Sequence, residues 1–355
     1  MKNYLYLVAL AGMIFTGCVK TDVATPEHKD IVIGFQAPVM YSNLDTKAGY
    51  HGEIDNNTYP KGESFTIFAV SHSDNLVSWS DADACEFNNT SISHNEDFDA
   101  WIPMNGSSFY YWPVDKKLSF AAYSPSDLEL GNTVVPAYSN QGLKIENFTI
   151  QDDPADQYDL LFSKRAVNQT ANNMQIGDDY YKGIPIEFKH ALSSIRFTFA
   201  KEAGVKDEVT LNKLELKNVI NKGTFNENIT NETSYASSPK WTVSTVVTDK
   251  ANYIPFSGTA TSVTPLLLLP QDLANDLVLD VTYTVKDSQN KTSQYTKTIQ
   301  LNKYPLGTSP VTKWLMGTRY TYNIIYGAAS QQQDIIMFSP STEGWTNADE
   351  IEIVL

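Results

Sequence analysis

The chain is short of nearly everything that carries chemistry. Its 355 residues include only two cysteines and five histidines. That cysteine count excludes a disulfide framework and a Cys–His zinc site. The histidines (His28, His51, His72, His94 and His190) form no HExxH and no other ligand pair at helical spacing. There is no GxSxG, no P-loop and no GxGxxG, so the usual hydrolase, nucleotide and dinucleotide motifs are missing. Positive charge is scarce as well: 26 basic residues face 41 acidic ones, a net charge of −15. Such a surface repels nucleic acid and anionic headgroups. No long segment carries a 3.6-residue apolar period, and no apolar run reaches the roughly 20 residues needed to span a bilayer. An enzyme, a metal site and a cofactor are therefore not expected.

What is present begins with a leader. Met1, Lys2 and Asn3 precede an apolar run from Tyr4 to Phe15, and Thr16-Gly17-Cys18 follows. The run suits the h-region of a signal peptide. A small residue directly before a cysteine is what a lipoprotein signal peptidase reads. Residues 1–17 are expected to be removed and Cys18 to carry diacylglycerol through a thioether. Removal takes away Lys2 and no acidic residue, leaving a charge of −16. Membrane contact would then come from the acyl chains alone, several of which hold firmly. With Cys18 committed to lipid, Cys85 is expected to have no intramolecular partner and to be inert, since no basic residue stands near it in the stretch Ser80 to Glu86.

Beyond a polar spacer containing Pro26, the pattern becomes that of short strands. Ile31, Ile33, Phe35, Ala37 and Val39 alternate with other residues, a period-two signal. From Tyr59 onward short apolar runs alternate with turn clusters at the spacing of β-sandwiches. Ile184 to Phe188 and Leu192 to Ala200 meet at Lys189-His190-Ala191, and the domain boundary is placed near Phe188. His190 reads as a packed residue of that seam. The carboxylates Asp152, Asp153, Asp156 and Asp159, with Asp178 and Asp179, read as solvated loop charge rather than a calcium loop, because EF-hand spacing is absent. Tyr110-Tyr111-Trp112 is the densest aromatic group. It reads as core, with a sugar-stacking platform as the alternative.

Several blocks together carry a resemblance. YPKGESFTIFAV (Tyr59 to Val70), YYWPVDKKLSFAAYSP (Tyr110 to Pro125), YDLLFS (Tyr158 to Ser163) and IPIEFKHALSSIRFTF (Ile184 to Phe199) are followed by LELKNVINKGTF, LLLLPQDL, VTYTV, KWLMGTRYTYNI and a final GWTNADEIEIVL. In this order, behind the leader, they resemble the Bacteroidales fimbrillin-like family of FimA/Mfa-type lipoprotein pilins. The resemblance implies an all-β protein of two transthyretin-like β-sandwich domains in tandem, over residues 48–188 and 189–355. It implies export to the outer membrane as a lipoprotein, with residues 18–47 as a lipidated propeptide holding the first strand. An arginine- or lysine-specific surface protease then cuts that propeptide. Here the matching segment reads Asp45-Thr46-Lys47-Ala48-Gly49, so the cut is expected between Lys47 and Ala48. A strand from another fimbrial subunit fills the opened groove, and the fimbria serves adhesion to a host or bacterial receptor.

The residues support the same reading. The face made by Ile31, Ile33, Phe35, Ala37 and Val39 must be buried somewhere, and the polar stretch around Lys47 suits a nickable loop. A withdrawn strand leaves unpaired backbone and an apolar trench, which a donor strand restores. Ile351, Ile353 and Leu355 also alternate. They form a candidate donor strand, or else the last strand of their own domain, since both write the same pattern. Head-to-tail donation does not close on itself and yields filaments. The competing function is a surface glycan-binding lipoprotein of a polysaccharide-uptake system, with Trp112 in the binding role.

Overall fold

The computed structural model describes residues 32–36, 39–40, 59–76, 78–97, 99–103, 110–113, 115–126, 136–171, 183–231, 235–258, 260–303, 305–306, 309–327, 346–347 and 351–354. Regular helix is confined, among these residues, to single 3-10 turns such as Trp79–Asp81 and Pro154–Asp156. The rest of the regular structure is strand.

Two kinds of strand follow from two kinds of sequence. In Val278–Lys286 the side chains of Leu279, Val281, Tyr283 and Val285 are buried, while Asp280, Thr282 and Thr284 between them are half-buried. One face meets the core and the other is wetted, as period-two alternation predicts. Ser64–His72 and Lys117–Ser124 are buried at every position past their first. Both faces are covered, so their sequences run nearly without charge and show little alternation.

These two strands are the middle of the largest sheet. Its order is Val39–Met40, Glu187–His190, Leu161–Ser163, Lys117–Ser124, Ser64–His72, Ala84–Asn95 and Ala100–Pro103. Two sheets come from the second half alone. One runs Lys250–Ser257, Glu208–Ile220, Val278–Lys286 and Thr292–Gln300; the other is built on Ser193–Lys201 and Thr318–Tyr326, which pair in parallel over eight positions. A further sheet is shared between the halves: Gly142–Thr149 pairs with Lys222–Asn226.

The apolar side chains separate into two cores. The first draws only on residues 33–188 and is dominated by rings, among them Phe35, Tyr59, Phe65, Trp101, Phe120 and Phe188. The second gathers residues from Ala191 to Ile324 together with Phe68, Tyr123, Leu160, Phe162 and the crossing hairpin's Leu143, Ile145 and Phe148. Core membership changes between Phe188 and Ala191. Between them His190 is 7% exposed, and its Nδ1 lies 2.8 Å from Asp159 Oδ2. The crossing hairpin is tied by a buried carboxylate. Glu227 accepts from Leu143 N at 2.8 Å and from Tyr235 Oη, which also donates to Ser163 O at 3.2 Å. Burial pushes the Glu227 carboxyl above its usual range. Gly142 permits this, because it adopts φ +87° and a Cβ there would run into Glu227.

Candidate strand-acceptor slot

The first strand sits inside the ring-rich core. Of the five alternating residues, Ile33 and Phe35 are 2% and 1% exposed. The backbone of Val39 pairs in parallel with Glu187. Ile31 and Ala37 lie outside the described residues.

The segment is hydrogen-bonded along both edges. On one edge Ile33 N donates to Tyr110 O at 2.7 Å and Phe35 N to Trp101 O at 2.8 Å. On the other, Ile184 N donates to Gly34 O at 2.9 Å and Gln36 N to Ile184 O at 3.0 Å. Trp101 belongs to the last strand of the largest sheet, and Ile184 leads into the strand next to Val39–Met40. Residues 32–36 therefore bridge the two ends of that sheet. Below them the Phe35 ring meets Phe65 and Phe120 edge-on, at centroid distances of 5.9 and 5.6 Å. Tyr59 and Trp101 extend the lattice at 5.4 Å. Tyr59 holds its hydroxyl by donating to Ser64 O at 2.8 Å and by sharing a hydrogen bond with Ser124 Oγ at 2.6 Å.

One glycine sets the fit. Gly183 has φ +60°, and a Cβ there would stand 2.5 Å from Gly34 O and 2.6 Å from Phe35 C. Only a residue without a side chain lets the two backbones approach this closely. Near the same core, Glu63 is 8% exposed, and burial pushes its carboxyl up to about 7.

The arrangement is built to hold a strand. Without residues 32–36 the core loses two fully buried side chains, each stabilising by about 1.5–3 kcal/mol. Buried backbone groups on both flanking strands also lose their partners, at about 1–3 kcal/mol each.

The other expected residues fall elsewhere. Ile351 and Ile353 pair in parallel with Tyr322 and Ile324 of the same chain; Leu355 lies outside the described residues, as do Cys18, Lys47 and Ala48. Cys85 is disulfide-bonded, which corrects the expectation of a thiol without an intramolecular partner; the other cysteine of the chain is Cys18. Trp112 is 7% exposed and packs edge-on to Phe120 at 6.1 Å, so its indole is core rather than an open platform. Tyr110 packs on Phe87 at 4.7 Å. Asp153 caps a 3-10 turn through Ala155 N at 2.9 Å, and the described residues hold no group of three side chains able to bind a metal ion. Asp178 and Asp179 lie outside the described residues.

A family model described as fimbrillin-like matches residues 46–345. The chain belongs to the fimbrillin-like family. Among solved structures, a fimbrial protein from Bacteroides vulgatus is 18% identical with a TM-score of 0.50, the match covering 84% of this chain and 95% of that one. Cell-adhesion candidates from Bacteroides uniformis and Bacteroides ovatus are 14% and 17% identical, with TM-scores of 0.46 and 0.45. Those matches cover 84% and 85% of this chain, and 95% and 94% of theirs. No curated protein matches the chain. The likeness to the Bacteroides vulgatus protein bears on the all-β fold alone, and the family model carries the assignment.

Proposed function

We propose that this fimbrillin-like chain is a fimbrial subunit that assembles by strand exchange at the slot now filled by residues 32–36. The observation that carries the reading is the double-edged pairing of that segment, with Ile33 and Phe35 buried beneath it. Residues 18–47 are the propeptide, residues 48–188 and 189–355 the two sandwich domains, and Lys47–Ala48 the bond cut by a lysine- or arginine-specific surface protease. The cut frees the first strand, and a strand of another subunit replaces it. Ile351, Ile353 and Leu355 are the candidate donor. Lipid on Cys18 delivers the precursor to the outer membrane, and the cut subunit is then held in the fimbrium by its neighbours. A sulfur committed to the lipid thioether cannot also form a disulfide, and Cys18 is the sequence's other cysteine. The intact mass of membrane-extracted precursor distinguishes them, and a mass without acyl chains removes the lipid step.

The test is digestion of the folded precursor with a lysine-specific protease. The expected product begins at Ala48 and forms SDS-resistant ladders. Lys47→Ala protein stays intact at that bond and does not polymerise. Ladders from Lys47→Ala protein equal to wild type would show that cleavage there does not control assembly.

A further inference from the structure

A second concavity lies apart from the slot. It is a groove of about 440 Å³ on the face of Ser64–His72 opposite the first core, where the side chain of Phe68 points away from Phe65 and Ile67. Trp79, Ser80 and Tyr138 form one wall, and Asp83 and Asn88 also line it.

The aromatic wall is fixed in place. The Arg165 guanidinium, in a residue 4% exposed, lies 4.7 Å from the Trp79 ring centroid and 4.9 Å from that of Tyr138. Its Nε donates to Tyr138 Oη at 2.6 Å and its Nη2 to Ser139 O at 2.7 Å. Tyr138 stacks on Phe68 at 5.5 Å, and Trp79 lies 4.7 Å from Tyr138. Ser80 N donates to Asn140 Oδ1 at 2.7 Å, and Asn140 Nδ2 donates to Ser80 Oγ at 3.1 Å, tying the Trp79 loop to the neighbouring hairpin. A wall immobilised this way has little ordering left to lose on binding. Asp83, also in the lining, is held through Oδ2 by the Ser73 hydroxyl at 2.8 Å and by Lys116 at 3.6 Å. No basic side chain is among the lining residues.

We propose that this groove binds a neutral saccharide of one or two rings. A pyranose presents an apolar C–H face, which suits an indole, and a rim of hydroxyls, which suits a carboxylate, an amide and a serine. The volume lies in the range of small-ligand sites, and the groove sits where the two cores meet, a common place for them. Lys116 already pairs with Asp83, and no basic side chain lines the groove itself to attract an anionic ligand. The proposal is independent of strand exchange.

The probes are lactose, cellobiose, maltose and N,N′-diacetylchitobiose, titrated into the full folded protein by saturation-transfer NMR and tryptophan fluorescence. 3′-Sialyllactose serves as the anionic counterpart of lactose. At least one neutral disaccharide is expected to saturate with a Kd of about 0.1–10 mM. Trp79→Ala is expected to weaken it at least about tenfold. Asp83→Asn weakens it in the same direction without touching the aromatic stack, so it keeps the test open if the tryptophan variant misfolds. Circular dichroism checks both folds. No saturable binding of any neutral probe, undiminished binding by both folded variants, or tighter binding of sialyllactose than of lactose would each overturn the proposal.

Discussion

The first-strand segment at residues 32–36 and 39–40 and the last strand, Ile351–Val354, are both short and alternating, and the fold holds them differently. The first is bonded to Tyr110 and Trp101 on one edge and to Ile184 on the other, with Phe35 set among rings. The last pairs in parallel along one side of Thr318–Tyr326. Withdrawing the first opens a trench through the middle of a core. Withdrawing the last returns a sheet to an exposed edge, which proteins commonly tolerate or protect. Strand exchange needs the first kind of site, because only a trench leaves enough unsatisfied surface to drive a replacement in.

The largest test of that contrast is Phe35→Ala. Removing a fully buried phenylalanine costs about 3–5 kcal/mol. Denaturant unfolding of the uncleaved chain should show a loss of this size. The same substitution should make no difference once residues 18–47 have been cut away and released. A loss below about 1 kcal/mol would mean that the ring is not a core anchor.

Gly183→Ala comes next, at about 2–4 kcal/mol, combining a positive φ with overpacking. Its Cβ strikes the backbone of residues 34 and 35, so the damage should stay in the first core. Amide exchange at Ile33 and Phe35 should quicken while exchange at Tyr322 and Ile324 does not change. Equal loosening of both regions would break the comparison.

How far these contrasts could be read beforehand depends on what alternation encodes. A period of two reports that one face is buried, so Ile33 and Phe35 were legible as a core face. It is silent on how many edges are paired, because hydrogen bonds are made by backbone that every sequence shares. The double-edged seating of residue 35 and the parallel seating of residue 351 were therefore invisible. Phe188 and Ala191 join different cores, but Phe68, Tyr123 and Phe162 from earlier in the chain join the second core as well. The crossing of Gly142–Thr149 into that core was not legible, because its partner Lys222–Asn226 is remote in sequence. Glu227 and Arg165 look like surface charges until the fold buries them. Trp79, a lone indole among Ser78, Ser80 and Asp81, was the one available signal for the groove. The family blocks were informative because each spans a strand with its turn, where local and tertiary constraints coincide.

Glu63 offers a pH handle on the first region. With its carboxyl pushed up to about 7 against an unfolded value near 4.3, the folded chain binds the extra proton between these limits. Stability contributed by this group therefore rises as pH falls from about 7 to about 4.5, and above 7 the folded state carries the cost of a buried charge. Glu63→Gln should stabilise the protein at pH 8 by roughly 1–3 kcal/mol and flatten the first core's dependence in that window. Unchanged pH curves for this variant would place the carboxylate in water.

The smallest stability effect is expected from deleting residues 351–355. Four paired positions in a parallel ladder bring a modest net gain in hydrogen bonding. Closing the long connection from Tyr326 offsets part of it. The net loss should be about 1 kcal/mol, with the first core untouched. Assembly is where the two roles of this strand separate. If it is only the edge of its own sheet, protein cut after Lys47 and lacking residues 351–355 still forms SDS-resistant ladders, because the slot is intact and the donor lies elsewhere. If it is the donor, ladders vanish while the melting temperature barely moves, and adding a synthetic Ile351–Leu355 peptide blocks ladder growth in the full-length cut protein by occupying the slot.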